Sequence, residues 1–333
     1  MTDWDFCKAS LVAVSRTFSK PIEMLPGDLE VAVTCGYLLC RLVDTIEDHP
    51  TLALEGRDRL YAAFLAVVED GGDPERFVEA FRVVEGEDDE LTLARNLPRV
   101  MRVFRGLPRA MQQATTPWVA EMARGMAIYS HRAAGDDGIV ALTTLPDLER
   151  YCYFVAGTVG HLLTELFLAA LPDLDPARRA SLLHHAEAFG QGLQLTNILK
   201  DITDDRERGV SFIPRSVCAA EGLRVADLLD PAHRLAAHAA LVPVFESAAR
   251  SLDAAFEYCL ALPVSAREIR LFCLLPLWMA VRTLAVARGN DAQLTPGAPV
   301  KISREEVASL IQDCGTRAGD DAALRSGFAA LKG

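Results

Sequence analysis

Strand-like alternation of apolar and polar residues is nearly missing from this sequence; Leu11–Val14 and Ile139–Thr143 are the only faint candidates. No pattern recurs at a fixed period, which excludes solenoids and propellers. Basic charge is scarce. With 34 Lys and Arg against 46 Asp and Glu, the net charge is −12, which argues against a nucleic-acid partner. An anionic substrate would then need bound cations or placed Arg and Lys. The eight cysteines contain no CxxC pair and mostly sit in apolar runs, so they read as reduced core thiols of a cytoplasmic protein. Zinc is not expected, because neither His184–His185 nor His233–His238 has the spacing of a shared helix face. A di-iron bundle wants Glu-x-x-His, and Glu165, Glu187 and Glu207 lack a His three residues on. There is no GxGxxG fingerprint. Met1–Cys7 carries Asp3 and Asp5 without a basic flank or apolar run, so no signal peptide is expected. No transmembrane segment is expected either. Leu271–Val281 is interrupted by Pro276, and Val155–Leu171 contains His161 and Glu165, so both fall short of the ~18 apolar residues a span needs. Peripheral contact with a membrane stays open.

What is present is helix. Half of the 333 residues are hydrophobic, ample for a large core. Pro and Gly punctuate segments of helical periodicity: Phe6–Phe18, Asp28–Asp48, Leu52–Glu69, Glu75–Val84, Leu91–Phe104, Arg109–His131, Pro146–Leu171, Pro176–Arg206, Val225–Leu229, Pro231–Leu262, Ala266–Arg288, Ser303–Gln312 and Asp320–Leu331. Several are apolar most of the way round and therefore central. The expectation is an all-α bundle, with residues 1–333 as one domain.

Two stretches stand out. Gly192–Gly209 reads GLQLTNILKDITDDRERG. On one continuous helix Asn197, Asp201 and Asp205 would form a polar stripe, each one turn from the next. The bland alternative is a solvated helix end with surface ion pairs among Asp204, Asp205, Arg206, Glu207 and Arg208. The second stretch ends an apolar helix: Tyr37-Leu-Leu-Cys-Arg41-Leu-Val-Asp44-Thr-Ile-Glu47-Asp48. A buried helix ending in three carboxylates is costly without counter-charge. Two such clusters suggest carboxylates facing one another across a cavity, where they would clamp Mg²⁺ ions that in turn bind a diphosphate.

These stretches resemble the two aspartate-rich motifs of the squalene and phytoene synthase family. Other segments extend the resemblance: Ser15-Arg16-Thr17-Phe18, Tyr151-Cys-Tyr-Phe-Val-Ala-Gly157-Thr-Val-Gly160, Phe212-Ile-Pro214, Leu271–Pro276 and Val300-Lys301-Ile302. The last two are similar to segments of squalene synthases in particular. The likeness runs from about residue 15 to about residue 310, and several motifs in the right order carry it together.

The resemblance implies an isoprenoid-synthase-type helical bundle around a central cavity and a prenyltransferase. Its reaction would be Mg²⁺-dependent head-to-head condensation of two farnesyl diphosphates through presqualene diphosphate, then reduction to squalene by NADPH. Asp44, Asp48, Asp201 and Asp205 would hold the metal, with Glu47 and Asn197 in support. Arg16 and Arg41 would pair with diphosphate oxygens, an intrahelical Arg41–Asp44 ion pair being the alternative for Arg41. Tyr151 would take part in the cation steps, or be a hydrogen-bonded core residue. Phe18, Tyr37 and Phe272 would line the cavity, with plain packing as the alternative for each. Lys301 and Arg304, with Asn197 and Lys200, would bind NADPH. Ser303 departs from the basic residue usual in that segment, and with Glu306 it forms a capping-box pattern. Dehydrosqualene and phytoene synthases would share the condensation without the reduction, and a non-catalytic lipid-binding relative would need no carboxylates. A chain-elongating enzyme would show DDxxD, which Asp44-Thr-Ile-Glu47-Asp48 is not.

Overall fold

Helix boundaries in this chain follow its caps and prolines, and these largely determine the architecture seen in a computed structural model describing residues 1–15, 17–298 and 300–333. The chain is mostly helical. In order it forms α1 (Asp3–Val14), α2 (Ser19–Glu23), α3 (Asp28–Asp48), α4 (Leu54–Val68), α5 (Pro74–Phe81), α6 (Asp89–Arg95), α7 (Leu97–Arg105) and α8 (Arg109–Tyr129). Next come α9 (Leu145–Cys152), a π-helical turn at Tyr153–Gly157, α10 (Thr158–Ala170), α11 (Pro176–Lys200), α12 (Ile202–Glu207) and α13 (Arg215–Ala220). The remainder is α14 (Arg234–Ala261), α15 (Arg267–Ala287), α16 (Arg304–Arg317) and α17 (Asp321–Leu331). Two compact units emerge, Met1–His131 with Thr158–Arg179, and Arg132–Gly157 with Ala180–Gly333.

The first unit is built around α3, which packs against α1, α4, α6, α7, α8 and α10. Its observed bounds are those the sequence predicts. Helix α1 starts earlier than expected, because Thr2 and Asp5 form a reciprocal capping box. Leu11–Val14 is therefore the end of this helix and not a strand. The expected helix Leu91–Phe104 is two helices. Asn96 leaves helical angles, and Pro98, which has no N–H to give, sits in the first turn of α7.

In the second unit Val140–Ala141 (β1) pairs in parallel with Val210–Ser211 (β2), so the faint strand signal at Ile139–Thr143 is real. Helices α14 and α15 pack together, and α16 and α17 close over α15. Phe256 of α14 stacks on Phe328 of α17 with centroids 4.1 Å apart. A glycine decides how α11 passes the π-turn: a Cβ on Gly190 would lie 1.9 Å from the carbonyl oxygen of Ala156. The π-turn itself carries one residue more per turn than an α-helix.

All eight cysteines are free and buried, as expected. Two apolar stretches are longer than the sequence reading allows. The helical stretches Leu145–Ala170 and Arg267–Ala287 are long and apolar enough to cross a membrane, with mean hydropathies of 1.4 and 1.7. An 18-residue window tolerates His161, Glu165 or Pro276. Most of each window is buried within the protein, as in the core helices of soluble proteins.

Candidate active site

The first acidic motif grows directly out of α3. From Tyr37 onward its partly open positions are Tyr37, Arg41, Asp44, Glu47 and Asp48, while the residues between them are buried. That spacing is one helix face. Phe18 closes one end of the stripe, its ring centroid 6.0 Å from that of Tyr37. Arg41 Nη2 donates to Tyr37 Oη at 2.8 Å, and its guanidinium lies 5.7 Å from the Tyr37 ring centre. The ion-pair partner of Arg41 is Glu90 of α6, at 3.6 Å. Asp44 acts on it through charge.

Burial dominates the electrostatics of this stripe. It pushes the Asp44 carboxyl up to about 8; Arg41 pulls the other way, and Asp48, Glu47 and Glu90 add to the rise. Burial also raises Glu90, against the pull of Arg41. The carboxylate donors are all oxygens, and like charges crowd around Asp44. That chemistry fits a hard divalent cation.

The second motif differs from expectation. Helix α11 ends at Lys200, and Asp201, at φ −104° and ψ 18°, starts α12. The backbone spacing survives the break: Asp201 N–H donates to Asn197 O and Asp205 N–H to Asp201 O, both at 2.9 Å. The stripe is thus preserved across two helices instead of one. Asn197 is exposed, the Asp201 side chain is 36% exposed, and that of Asp205 is 8% exposed. Lys200 Nζ lies 3.0 Å from Asp201, and Arg208 Nη2 donates to Asp205 at 2.6 Å. One ion pair of the bland reading, Asp205–Arg208, therefore forms alongside the stripe. Two oxygen ligands one turn apart remain suited to a divalent cation, which would have to compete with Lys200 and Arg208. Among the described residues, no group of three His, Cys, Asp or Glu side chains is already gathered as a ligand set.

Tyr151, at the end of α9, is 4% exposed. Its ring stacks on Phe212 at 4.8 Å, and the Arg132 guanidinium lies 5.2 and 5.5 Å from the two ring centres. Sequence reasoning gave no role to Arg132, which no motif marks, or to Glu90, whose signal was only an acidic loop. Phe212 was marked by its distance after the second motif. Phe272 is buried in α15. Lys301 and Arg304 are exposed, and among the described residues neither has an ion-pair partner. Ser303 caps α16: its Oγ accepts the Glu306 N–H at 3.1 Å. The Glu306 carboxylate accepts from Arg282 Nε at 2.5 Å. Arg16 lies outside the described residues, as does Pro299 beside the Lys301 segment.

A profile described as squalene/phytoene synthase matches residues 11–306. The chain belongs to the squalene/phytoene synthase family. It is a family of head-to-head prenyl condensation, so its members are prenyltransferases of prenyl diphosphates, typically Mg²⁺-dependent. Among curated relatives, squalene synthase BSS of Botryococcus braunii is 30% identical over 315 residues, 93% of this chain and 64% of its own length. Rat (Rattus norvegicus) squalene synthase is 27% identical over 307 residues, 92% of this chain and 68% of its own. This chain therefore spans about two thirds of the relatives it matches. The solved complex of TcSQS with the ligand BPH1237 aligns over 99% of this chain and 90% of that one, at 26% identity and a TM-score of 0.83. A dehydrosqualene synthase structure aligns over 94% and 95%, at 20% identity and a TM-score of 0.65, a likeness of fold alone. The all-α, isoprenoid-synthase reading of this squalene/phytoene synthase family member is thereby established.

Proposed function

We propose that this protein is a squalene synthase, condensing two farnesyl diphosphates head to head through presqualene diphosphate and reducing the product with NADPH. The observation that carries the condensing half is the open stripe of α3, where Tyr37, Arg41, Asp44 and Asp48 share one face and burial raises the Asp44 carboxyl against the pull of Arg41. Asp44, Glu47, Asp48, Asn197, Asp201 and Asp205 would hold Mg²⁺. When bound, the metal supplies positive charge that draws electrons from the diphosphate and eases scission of the allylic C–O bond.

The chain's own residues supply the rest. Arg41, oriented by Tyr37 and Glu90, takes phosphate oxygens, with Arg16 in the same role. Phe18, Tyr37 and Phe272 offer aromatic surface to the carbocation without reacting with it. Tyr151 carries a hydroxyl for proton transfer, and its ring stacks on Phe212 with the Arg132 guanidinium beside both rings. Lys301 and Arg304, both exposed, would receive the phosphates of NADPH. Eight buried free thiols suit a reducing cytoplasm, with peripheral membrane contact for release of an apolar product.

Support for squalene over its dehydro analogue comes from relatives that are themselves squalene synthases and from the Leu271–Pro276 and Val300–Ile302 segments. One observation favours a second reading, condensation without reduction. Ser303, where a basic residue is usual, is committed to capping α16, which leaves that segment with Lys301 and Arg304 for the cofactor. Incubating purified protein with farnesyl diphosphate and Mg²⁺, with and without NADPH, tests both. Squalene that appears only with NADPH supports the proposal. Dehydrosqualene at saturating NADPH supports the second reading, and no diphosphate release overturns both.

A further inference from the structure

The break at Asp201 leaves α11 with terminal carbonyls that a continuous helix would have satisfied. One of them, Leu199 O, accepts a hydrogen bond from Gln293 Nε2 at 2.7 Å. Gln293 comes 94 residues later in the chain, in the 3₁₀ turn Asp291–Leu294, which packs against α12. It is 1% exposed. Its turn is held in shape by Asn290, whose Oδ1 accepts the Ala292 N–H at 3.0 Å and whose Nδ2 donates to Val286 O at 3.3 Å. The other end of the amide, Oε1, is buried and has no hydrogen-bond partner among the described residues.

A buried acceptor without a partner costs stability, and a methionine of similar volume would avoid that cost. What methionine cannot do is donate to Leu199 O. Gln293 is thus a side-chain cap on the carbonyl two residues before Asp201, where α11 gives way to α12. We propose that Gln293 is a positioning residue for the second acidic motif, fixing the break and through it the direction of the Asp201 and Asp205 carboxylates toward a divalent cation. The inference rests on the reading that these carboxylates serve the metal. It adds a tether from the root of the segment carrying Lys301 to that motif.

The test uses the full chain, with Mn²⁺ plus inorganic diphosphate as the probe. Mn²⁺ binding is read by electron paramagnetic resonance and amide exchange by mass spectrometry. Gln293→Met is expected to keep its helical circular dichroism while Mn²⁺ affinity falls about 10- to 100-fold, the range for residues that orient metal ligands. In the metal-free variant the amides of residues 201–205 should exchange about tenfold faster than in wild type. A merely structural glutamine would lower the melting temperature without moving Mn²⁺ affinity, so an affinity within roughly threefold of wild type overturns the proposal. If Gln293→Met does not fold, wild-type exchange decides. Protection at 201–205 matching the middle of α11 supports the cap, and exchange as fast as a fraying helix end overturns it. Asp201→Asn separates the two readings. If it binds Mn²⁺ like wild type, the metal assignment of the motif falls and this inference with it. If it loses Mn²⁺ and Gln293→Met does not, the role of Gln293 alone falls.

Discussion

The two acidic motifs have the same spacing of carboxylates and opposite electrostatic settings. On α3 the helix runs unbroken to Asp48, burial raises Asp44, and the nearby cation, Arg41, is paired with Glu90. At the α11–α12 junction the helix breaks, and each aspartate has a cation of its own within 3.0 Å, Lys200 for Asp201 and Arg208 for Asp205. The first motif centres on a buried carboxyl raised by its surroundings, and the second on aspartates that each hold a local ion pair. A divalent ion arriving at the first relieves repulsion, whereas at the second it has to displace ion pairs. Equal spacing in sequence therefore does not imply equal affinity.

The comparison breaks most decisively on turnover. If both motifs serve one chemistry, Asp48→Asn and Asp201→Asn should each reduce product formation by at least about 100- to 1000-fold, with circular dichroism unchanged. Measured rates within a few-fold of wild type for one variant would assign the chemistry to the other motif alone.

A second contrast concerns the backbone under each motif. In α3, a Cβ on Gly36 would meet the flexible end of Leu162 at 3.3 Å, whereas on Gly190 of α11 it would meet the Ala156 carbonyl oxygen at 1.9 Å. Gly36→Ala should change stability by less than about 1 kcal/mol, since helix propensity offsets the tight contact. Gly190→Ala should cost about 3 kcal/mol or prevent folding. Urea titration of the two variants measures both.

The carboxylates themselves should respond with opposite signs in chelated, metal-free protein. Asp44 is raised to about 8, so it opposes folding wherever the unfolded chain would ionise it. That opposition is absent below about pH 4, grows as the pH rises towards 8, and is constant above. Asp44→Asn should therefore match wild type at low pH and exceed it by about 1 kcal/mol or more at pH 8. Asp205→Asn should lose about 1 kcal/mol at neutral pH, because Arg208 loses its charged acceptor. Thermal unfolding across pH follows both, and a destabilised Asp44→Asn at pH 8 would refute the burial-dominated description of Asp44.

The smallest effect is expected at Lys301, which belongs to neither motif. Exposed and without an ion-pair partner, it should tolerate Ala within about 0.5 kcal/mol. Presqualene diphosphate formation should be nearly unchanged, while NADPH-dependent squalene release slows. Product ratios at limiting NADPH show whether the two steps separate.

The ends of α3 were legible because Pro26, Gly27 and Pro50 bracket a continuous apolar run. The open stripe followed from helix spacing alone. The break at Asp201 was not legible, since neither Gly nor Pro marks it, and the cap on Leu199 comes from Gln293, 94 residues away. The π-turn at Tyr153–Gly157 was equally hidden, because one extra residue barely disturbs an apolar pattern. Glu90 and Arg132 gained their places from tertiary contacts with Arg41, Tyr151 and Phe212. Local periodicity carries no record of such partners.

The buried thiols make the protein its own stopwatch. Cys7, Cys35 and Cys40 lie in the first unit, while Cys152, Cys218, Cys259, Cys273 and Cys314 lie in the second. None can meet an alkylating reagent until its surroundings open, so the order in which the eight acquire label gives the order in which the two units loosen. No probe has to be engineered. Peptide mapping after timed exposure to iodoacetamide would time the opening beneath each acidic motif separately, Cys40 reporting for α3 and Cys218 for the region following α12.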